Sequence, residues 1–213
     1  MKKAKTALKT KRRSYRKMGE KNKAIPTIGP RNIQFRSRIE AIWARFFDSL
    51  EWTWSYEPYD LVGYIPDFIV LFGKKQLLVE VKGDIDYDNL KTYAGKIEKS
   101  GWDGPFLIVG AEIWKIVDPM ISNRKIATGN DDARVNLGVI FIPHIDNEIL
   151  KWTPYDAFIS RNAIISYVYN SQLCGVEADR DETHLFAGDT DKIYDLWIKA
   201  KNALQWKGPG RLV

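Results

Sequence analysis

The chain has 213 residues, 45% of them hydrophobic and 28% charged, which suits one full globular domain or at most two small ones. No apolar run approaches a membrane span and no apolar segment follows the charged N-terminus, so a cytoplasmic protein without membrane contact or signal peptide is expected. Cys174 is the single cysteine, which excludes an intrachain disulfide; with two histidines, His144 and His184, a structural zinc site would need several carboxylates.

The net charge of +6 is unevenly held. Residues 1 to 24 contain 11 Lys+Arg against one acid, Glu20, while the remaining 189 residues carry 22 basic and 26 acidic side chains. This segment lacks apolar periodicity. It reads as a solvated, disordered extension. It reads equally as an arm whose Lys11, Arg12, Arg13, Arg16 and Lys17 meet nucleic-acid phosphates and release their counterions. Residues 25 to 31, with two prolines and a glycine, read as a linker.

A helix is expected over residues 32 to 50, capped by Asn32, with Phe35, Ile39, Ile42, Trp43, Phe46, Phe47 and Leu50 along its apolar stripe. Glu40 borders that stripe; taken alone it is an ordinary flanking charge. Residues 53 to 59 alternate and are rich in aromatics, which predicts a strand ending near Pro58. Trp52 and Trp54 there are either core or stacking surfaces for bases. Leu61, Val62 and Gly63 turn the chain into two short apolar runs around a Gly-Lys-Lys turn. A helix follows, capped by Asp86 or Asp88 and running to about Lys99, with Leu90, Tyr93 and Ile97 on one face. Pro105 to Gly110 is wholly apolar and predicts a strand buried on both faces, parallel to an earlier one. Further on, the pattern predicts strands at Ile113 to Val117 and Val135 to Ile142, the latter bounded by Pro143. It also predicts a loop at 123 to 132, a helix at 155 to 170, a loop at 171 to 190 and a helix at 191 to 205 closed by Trp206 to Pro209. Residues 111 to 213 are thus expected to extend the domain built by 32 to 110.

The two apolar runs carry charge where a buried strand should not: Asp67 in the first, Glu80 and Lys82 in the second. If Asp67 faces Glu80 in an antiparallel pair, Phe68 pairs with Val79, Ile69 with Leu78, Val70 with Leu77 and Phe72 with Lys75. Gly73-Lys74 is then a two-residue loop of the type that wants glycine first. The same register brings the two carboxylates together, and Lys82 shares the face of Glu80. Apolar residues on both faces predict helices on both sides of the sheet. Buried carboxylates need compensation, from the lysine, from water or from a divalent cation; oxygen ligands suit Mg2+, with Mn2+ as a substitute. Such an ion activates water and stabilises charge on a phosphate.

Pro66-Asp67, twelve intervening residues, then Glu80-Val81-Lys82 resembles the PD-(D/E)XK nuclease superfamily, the fold of many restriction endonucleases and resolvases. The predicted order over residues 32 to 110 resembles its αβββαβ core, a mixed sheet flanked by helices on both faces. Ser37-Arg38-Ile39-Glu40 and the stretch from 200 to 207 are similar to small phage-encoded members, some of which carry a cysteine-rich zinc module that this chain lacks. Asn89 and Tyr93 resemble the Gln-x-x-x-Tyr element of RecB-like exonucleases, with Asn in place of Gln.

The resemblance implies a Mg2+-dependent deoxyribonuclease, endonucleolytic rather than exonucleolytic, with a metal-bound water as nucleophile. Asp67, Glu80 and the Val81 carbonyl would be metal ligands. Lys82 would position or activate water. Glu40 would complete the site directly or through water. Arg36, Arg38 and Lys96 are candidate phosphate contacts, against the plain reading that exposed helix charges are solvated. The expected partner is DNA, and cutting both strands would suit a homodimer. Two other readings stand beside this one: a non-catalytic nucleic-acid-binding module of the same fold, or a nuclease subunit of a larger recombination, packaging or transposition assembly.

Overall fold

The structure, a computed structural model, describes residues 26–85, 87–116, 134–160, 163–169, 172–176 and 190–205. It is a mixed α/β fold. A small ribbon opens it: β1 (Thr27–Ile28) pairs antiparallel with β2 (Gln34–Phe35) across a 3-10 turn at Pro30–Asn32. Helix α1 (Arg38–Ser49) follows, then the strands β3 (Thr53–Tyr56), β4 (Phe68–Phe72) and β5 (Lys75–Val81), helix α2 (Tyr87–Lys99) and strand β6 (Phe106–Ile116). The long strands β7 (Arg134–Asp146) and β8 (Ile149–Ser160), the hairpin β9 (Ala163–Tyr169) and β10 (Gln172–Val176), and helix α3 (Thr190–Ala203) complete it.

The sheet runs β10-β9-β8-β7-β6-β5-β4-β3, with β9 and β10 extending one edge of a six-stranded mixed sheet. Among the described strands only β5 and β6 pair in parallel; α2 makes the crossover between them. The register of β4 and β5 is the expected one, Phe68↔Val79 through Phe72↔Lys75. Gly73 has φ of 59° while Lys74 is not among the positive-φ residues, as a loop with glycine first requires.

Strand alternation divides the core in two. Phe68, Val70, Phe72, Leu77, Val79 and Val81 join Leu107 and Val109 under α1 and α3, against Trp43, Phe46, Phe47 and Trp197. Ile69, Leu78, Phe106 and Ile108 face α2, against Ala94 and Ile97. Helices therefore cover both sides of the strands that carry the charged residues. Trp43 donates through Nε1 to the Gly110 carbonyl at 2.8 Å, pinning α1 to β6. Trp52 and Trp54 are core residues and offer no stacking surface.

Several boundaries differ from the sequence expectation. Helix α1 begins at Arg38, six residues after Asn32, and Ser37 is its cap. The intervening residues form the 3-10 turn and β2, and Phe35 is buried from a strand. β3 stops at Tyr56, because Glu57 takes φ of 44° and leaves the extended region. The expected strands 105–110 and 113–117 are one strand, β6, whose pairing with β7 shifts register between Val109 and Trp114. The expected helix at 155–170 is instead the end of β8 and all of β9, and β10 lies within the expected loop at 171–190.

Pro143 does not bound β7, which continues to Asp146. Asn147 and Glu148, both with positive φ, close a two-residue loop under the Asp146↔Ile149 pair. Counting back, Pro143 occupies a pair whose main-chain groups point away from β8, and the β6 ladder stops at Phe141. Its missing N–H faces an open edge, where proline is tolerated. Asp86, the side chain of Asp88, residues 1–24, 123–132 and 206–209 lie outside the described residues. No helix among the described residues is long and apolar enough to cross a membrane.

Candidate active site

Pro66, Asp67, Glu80, Val81 and Lys82 meet at one end of the hairpin formed by β4 and β5. Leu78 donates to the Pro105 carbonyl and Lys82 to the Val109 carbonyl, so alternate residues of β5 point their main chain at β6. Val79 and Val81 therefore point theirs at β4. Extending the β4–β5 register by two pairs, through Asp67 and Glu80, sets Pro66 opposite Val81. Proline has no N–H to give, so the Val81 carbonyl receives no ladder bond from the facing position. The Val81 N–H goes instead to Asp67 Oδ2 at 2.7 Å. The proline before the aspartate thus frees a carbonyl beside a carboxylate.

Asp67 and Glu80 are both buried. Burial and the nearby Glu80 charge push the Asp67 carboxyl up to about 7, against the opposing pull of the Val81 N–H and the Lys82 ammonium. Its Oδ1 is bonded by Arg36 Nη2. Glu80 accepts from the Tyr64 hydroxyl on Oε2 and pairs through Oε1 with Lys82 Nζ. Burial, reinforced by the Glu80 charge and this hydrogen bond, raises the Tyr64 phenol so that it stays a donor. The Lys82 ammonium also lies 4.8 Å from the centroid of the Tyr93 ring, a cation–π arrangement.

Glu40 is placed by Ser37, the N-cap of α1. Its N–H donates to Ser37 Oγ at 3.2 Å, and the Ser37 hydroxyl donates to Glu40 Oε1 at 2.8 Å. Oε2 accepts from the Tyr56 hydroxyl at 2.7 Å and from the Arg36 N–H at 3.1 Å. Burial and the bond to Glu40 hold the Tyr56 phenol up at about 12. Arg36 stands between Glu40 and Asp67: its Nε is 4.0 Å from Glu40 Oε2 and 2.9 Å from Glu57 Oε1. Arg38, the first residue of α1, and Lys96, on α2, are exposed. Lys11, Arg12, Arg13, Arg16 and Lys17 lie outside the described residues.

The hairpin residues of the expected site are thus together, and Glu40 reaches them through Arg36. Sequence reasoning missed Tyr56 and Tyr64 and gave Arg36 a different partner. Each tyrosine closes a strand or turn beside a carboxylate, an amphipathic side chain with its ring in the core and its hydroxyl at the site. Among the described residues, no three His, Cys, Asp or Glu side chains are grouped as a ready-made metal cluster. A small hard cation needs less from the protein: one or two carboxylates, with water and phosphate filling its remaining positions. Asp67, Glu80 and the Val81 carbonyl fit that requirement, provided Arg36 and Lys82 yield the oxygens they now hold. Comparison with family models, with curated proteins and with solved structures returns no match.

Proposed function

We propose that this chain is a Mg2+-dependent nuclease of the PD-(D/E)XK kind, with Mn2+ as a substitute ion, hydrolysing phosphodiester bonds of DNA. The order α1, β3, β4, β5, α2, β6 supports the restriction-endonuclease-like αβββαβ reading. The observation that carries the proposal is the convergence of two buried carboxylates, a lysine and a carbonyl freed by proline at one hairpin end. Nothing in a stable core calls for two adjacent acids there: their desolvation is unfavourable, and such perturbed groups cluster at functional sites.

A divalent cation at Asp67 and Glu80 would polarise the scissile phosphate and acidify water. The chain's own groups do the rest. Asp67 and Glu80 fix the cation's place, with Tyr64 holding Glu80 by its second oxygen. Lys82, steadied by Glu80 and the Tyr93 ring, orients the attacking water and neutralises charge that builds on the phosphate. Glu40 fixes the junction between β2 and α1 and, through Arg36, the setting of Asp67.

The test is cleavage of linear, circular, single-stranded and branched DNA with Mg2+ or Mn2+. Wild type should cut at least one substrate, and excess EDTA should stop it. Lys82→Ala should lower the rate about 100-fold or more while keeping the fold. Activity indifferent to EDTA or to Lys82→Ala would sink the proposal. A second reading is favoured by one observation: both carboxylates already have a cationic partner from the chain, in Arg36 and Lys82. On that reading the protein binds DNA without cutting it. Absence of cleavage on every substrate, with retained binding, would decide for it.

A further inference from the structure

Arg36 comes from neither strand of the hairpin, yet it holds the one Asp67 oxygen that the main chain leaves. Asp67 Oδ2 is taken by the Val81 N–H at 2.7 Å; Oδ1 carries Arg36 Nη2. The arginine main chain is fixed, its N–H bonded to Glu40 Oε2 at 3.1 Å and Tyr56 Oη at 3.0 Å. Its side chain is not enclosed: it is 54% exposed, against 3% for that of Asp67. The guanidinium also has a second anchor, Glu57 Oε1 at 2.9 Å from Nε, and the Glu57 side chain is 36% exposed. A planar fork on a long stem can hold Glu57 with one nitrogen while another leaves Asp67.

We infer that Arg36 is a tethered counter-cation that competes with a divalent cation for Asp67 Oδ1. This rests on the metal-site reading above. Without the ion, the guanidinium satisfies a buried carboxylate that would otherwise be strongly destabilising. With the ion, the cation's charge repels the guanidinium at that oxygen, and the guanidinium withdraws to Glu57 at the mouth of the site. There its free N–H groups face outward, in the geometry that suits a phosphate of the substrate. Arginine and cation are therefore coupled with negative sign: each weakens the other at Asp67. Arg36 is a positioning residue in this scheme, acting through Asp67.

The experiment is Mn2+ binding to the full chain at fixed pH without DNA, followed by calorimetry, with the metal-free melting temperature measured alongside. Arg36→Gln should bind Mn2+ more tightly than wild type by about 5- to 150-fold, the usual span of such couplings. Its metal-free melting temperature should fall, and Mn2+ should raise it by more than it raises wild type. A purely structural role for Arg36 predicts the opposite sign, because a loosened site binds more weakly. Equal or weaker Mn2+ affinity in Arg36→Gln overturns the inference. If that variant fails to fold, Arg36→Lys serves. It keeps a charge without the fork and should still bind more tightly than wild type; an unchanged affinity overturns the inference in the same way. Asp67→Asn separates the two levels. If it abolishes Mn2+ binding while the Arg36 variants match wild type, the metal site stands and the competition is wrong. If Asp67→Asn binds Mn2+ as wild type does, the metal site falls and the inference with it.

Discussion

Asp67→Asn should make the metal-free protein more stable at pH 8 while removing its function. The Asp67 carboxyl is raised from 3.8 to about 7 by burial and by the charge of Glu80. A raised acid pKa means that the folded state holds the proton more tightly than the unfolded state. The stabilising contribution is complete below pH 4 and is lost as pH rises through 7. Three pH units of difference correspond to ~4 kcal/mol of stability that the ionised form lacks. The Arg36 guanidinium on Oδ1 favours the ionised form, which lowers the gain expected from asparagine to about 2–4 kcal/mol. The asparagine oxygen still accepts from the Val81 N–H, while its NH2 faces the Arg36 guanidinium and leaves that arginine to Glu57. In a domain of this size each kcal/mol moves the melting temperature by roughly 2–4 °C. Thermal melts of wild type and Asp67→Asn in EDTA, from pH 4 to pH 8, provide the assay. Wild type should lose stability across that window, and the variant should be flatter and the more stable of the two at pH 8. A variant less stable than wild type at pH 8, or a wild type whose stability does not fall between pH 4 and 8, would refute the reasoning.

Three further outcomes are expected. Removing residues 1–24, with their 11 Lys+Arg, should weaken DNA binding and reduce the slope of log affinity against log salt by several units; an unchanged slope removes the arm. Tyr64→Phe takes away the hydroxyl on Glu80 Oε2 and should lower stability by about 1–3 kcal/mol in urea titration, whereas no change would show that water replaces it freely. Gly138 has φ of 147°, and a Cβ there would lie 2.1 Å from the Ile108 carbonyl oxygen, so Gly138→Ala should destabilise by about 2 kcal/mol or more. An unchanged denaturation midpoint would mean that β6 and β7 can part without penalty at this bulge.

The hairpin was legible because two independent signals agreed on its register: alternation in both runs, and glycine at the first loop position. The start of α1 was misread because Phe35 falls by chance on the helical stripe, four residues before Ile39. The stronger signal was Ser37-x-x-Glu40, a helix-start pattern in plain sequence. Residues 155–170 were misread as helix although Ile-Ile-Ser-Tyr-Val-Tyr at 164–169 is dense in β-branched and aromatic residues. Arg36 could not be placed in advance. Its partner Asp67 is 31 residues away, and only the packing of β2 beside β3 and β4 brings them together. The same holds for Tyr64, whose hydroxyl reaches Glu80 across the turn.

The pinning of α1 has a consequence for when the site is complete during synthesis. Glu40 rides on the first turn of α1, and Trp43 one turn later is clasped by Trp197 of α3, with ring centroids 4.7 Å apart. Phe46 meets the same indole edge-on at 5.3 Å. Trp197 leaves the ribosome about 150 residues after Glu40, as their positions in the chain show. Until it arrives, the outer flank of α1 is wet and the helix is held by the sheet alone. The hairpin can close early from local contacts, but the post that carries Glu40 is braced only at the end. Arg36, whose main chain bonds Glu40, therefore gains its fixed setting over Asp67 only with that brace.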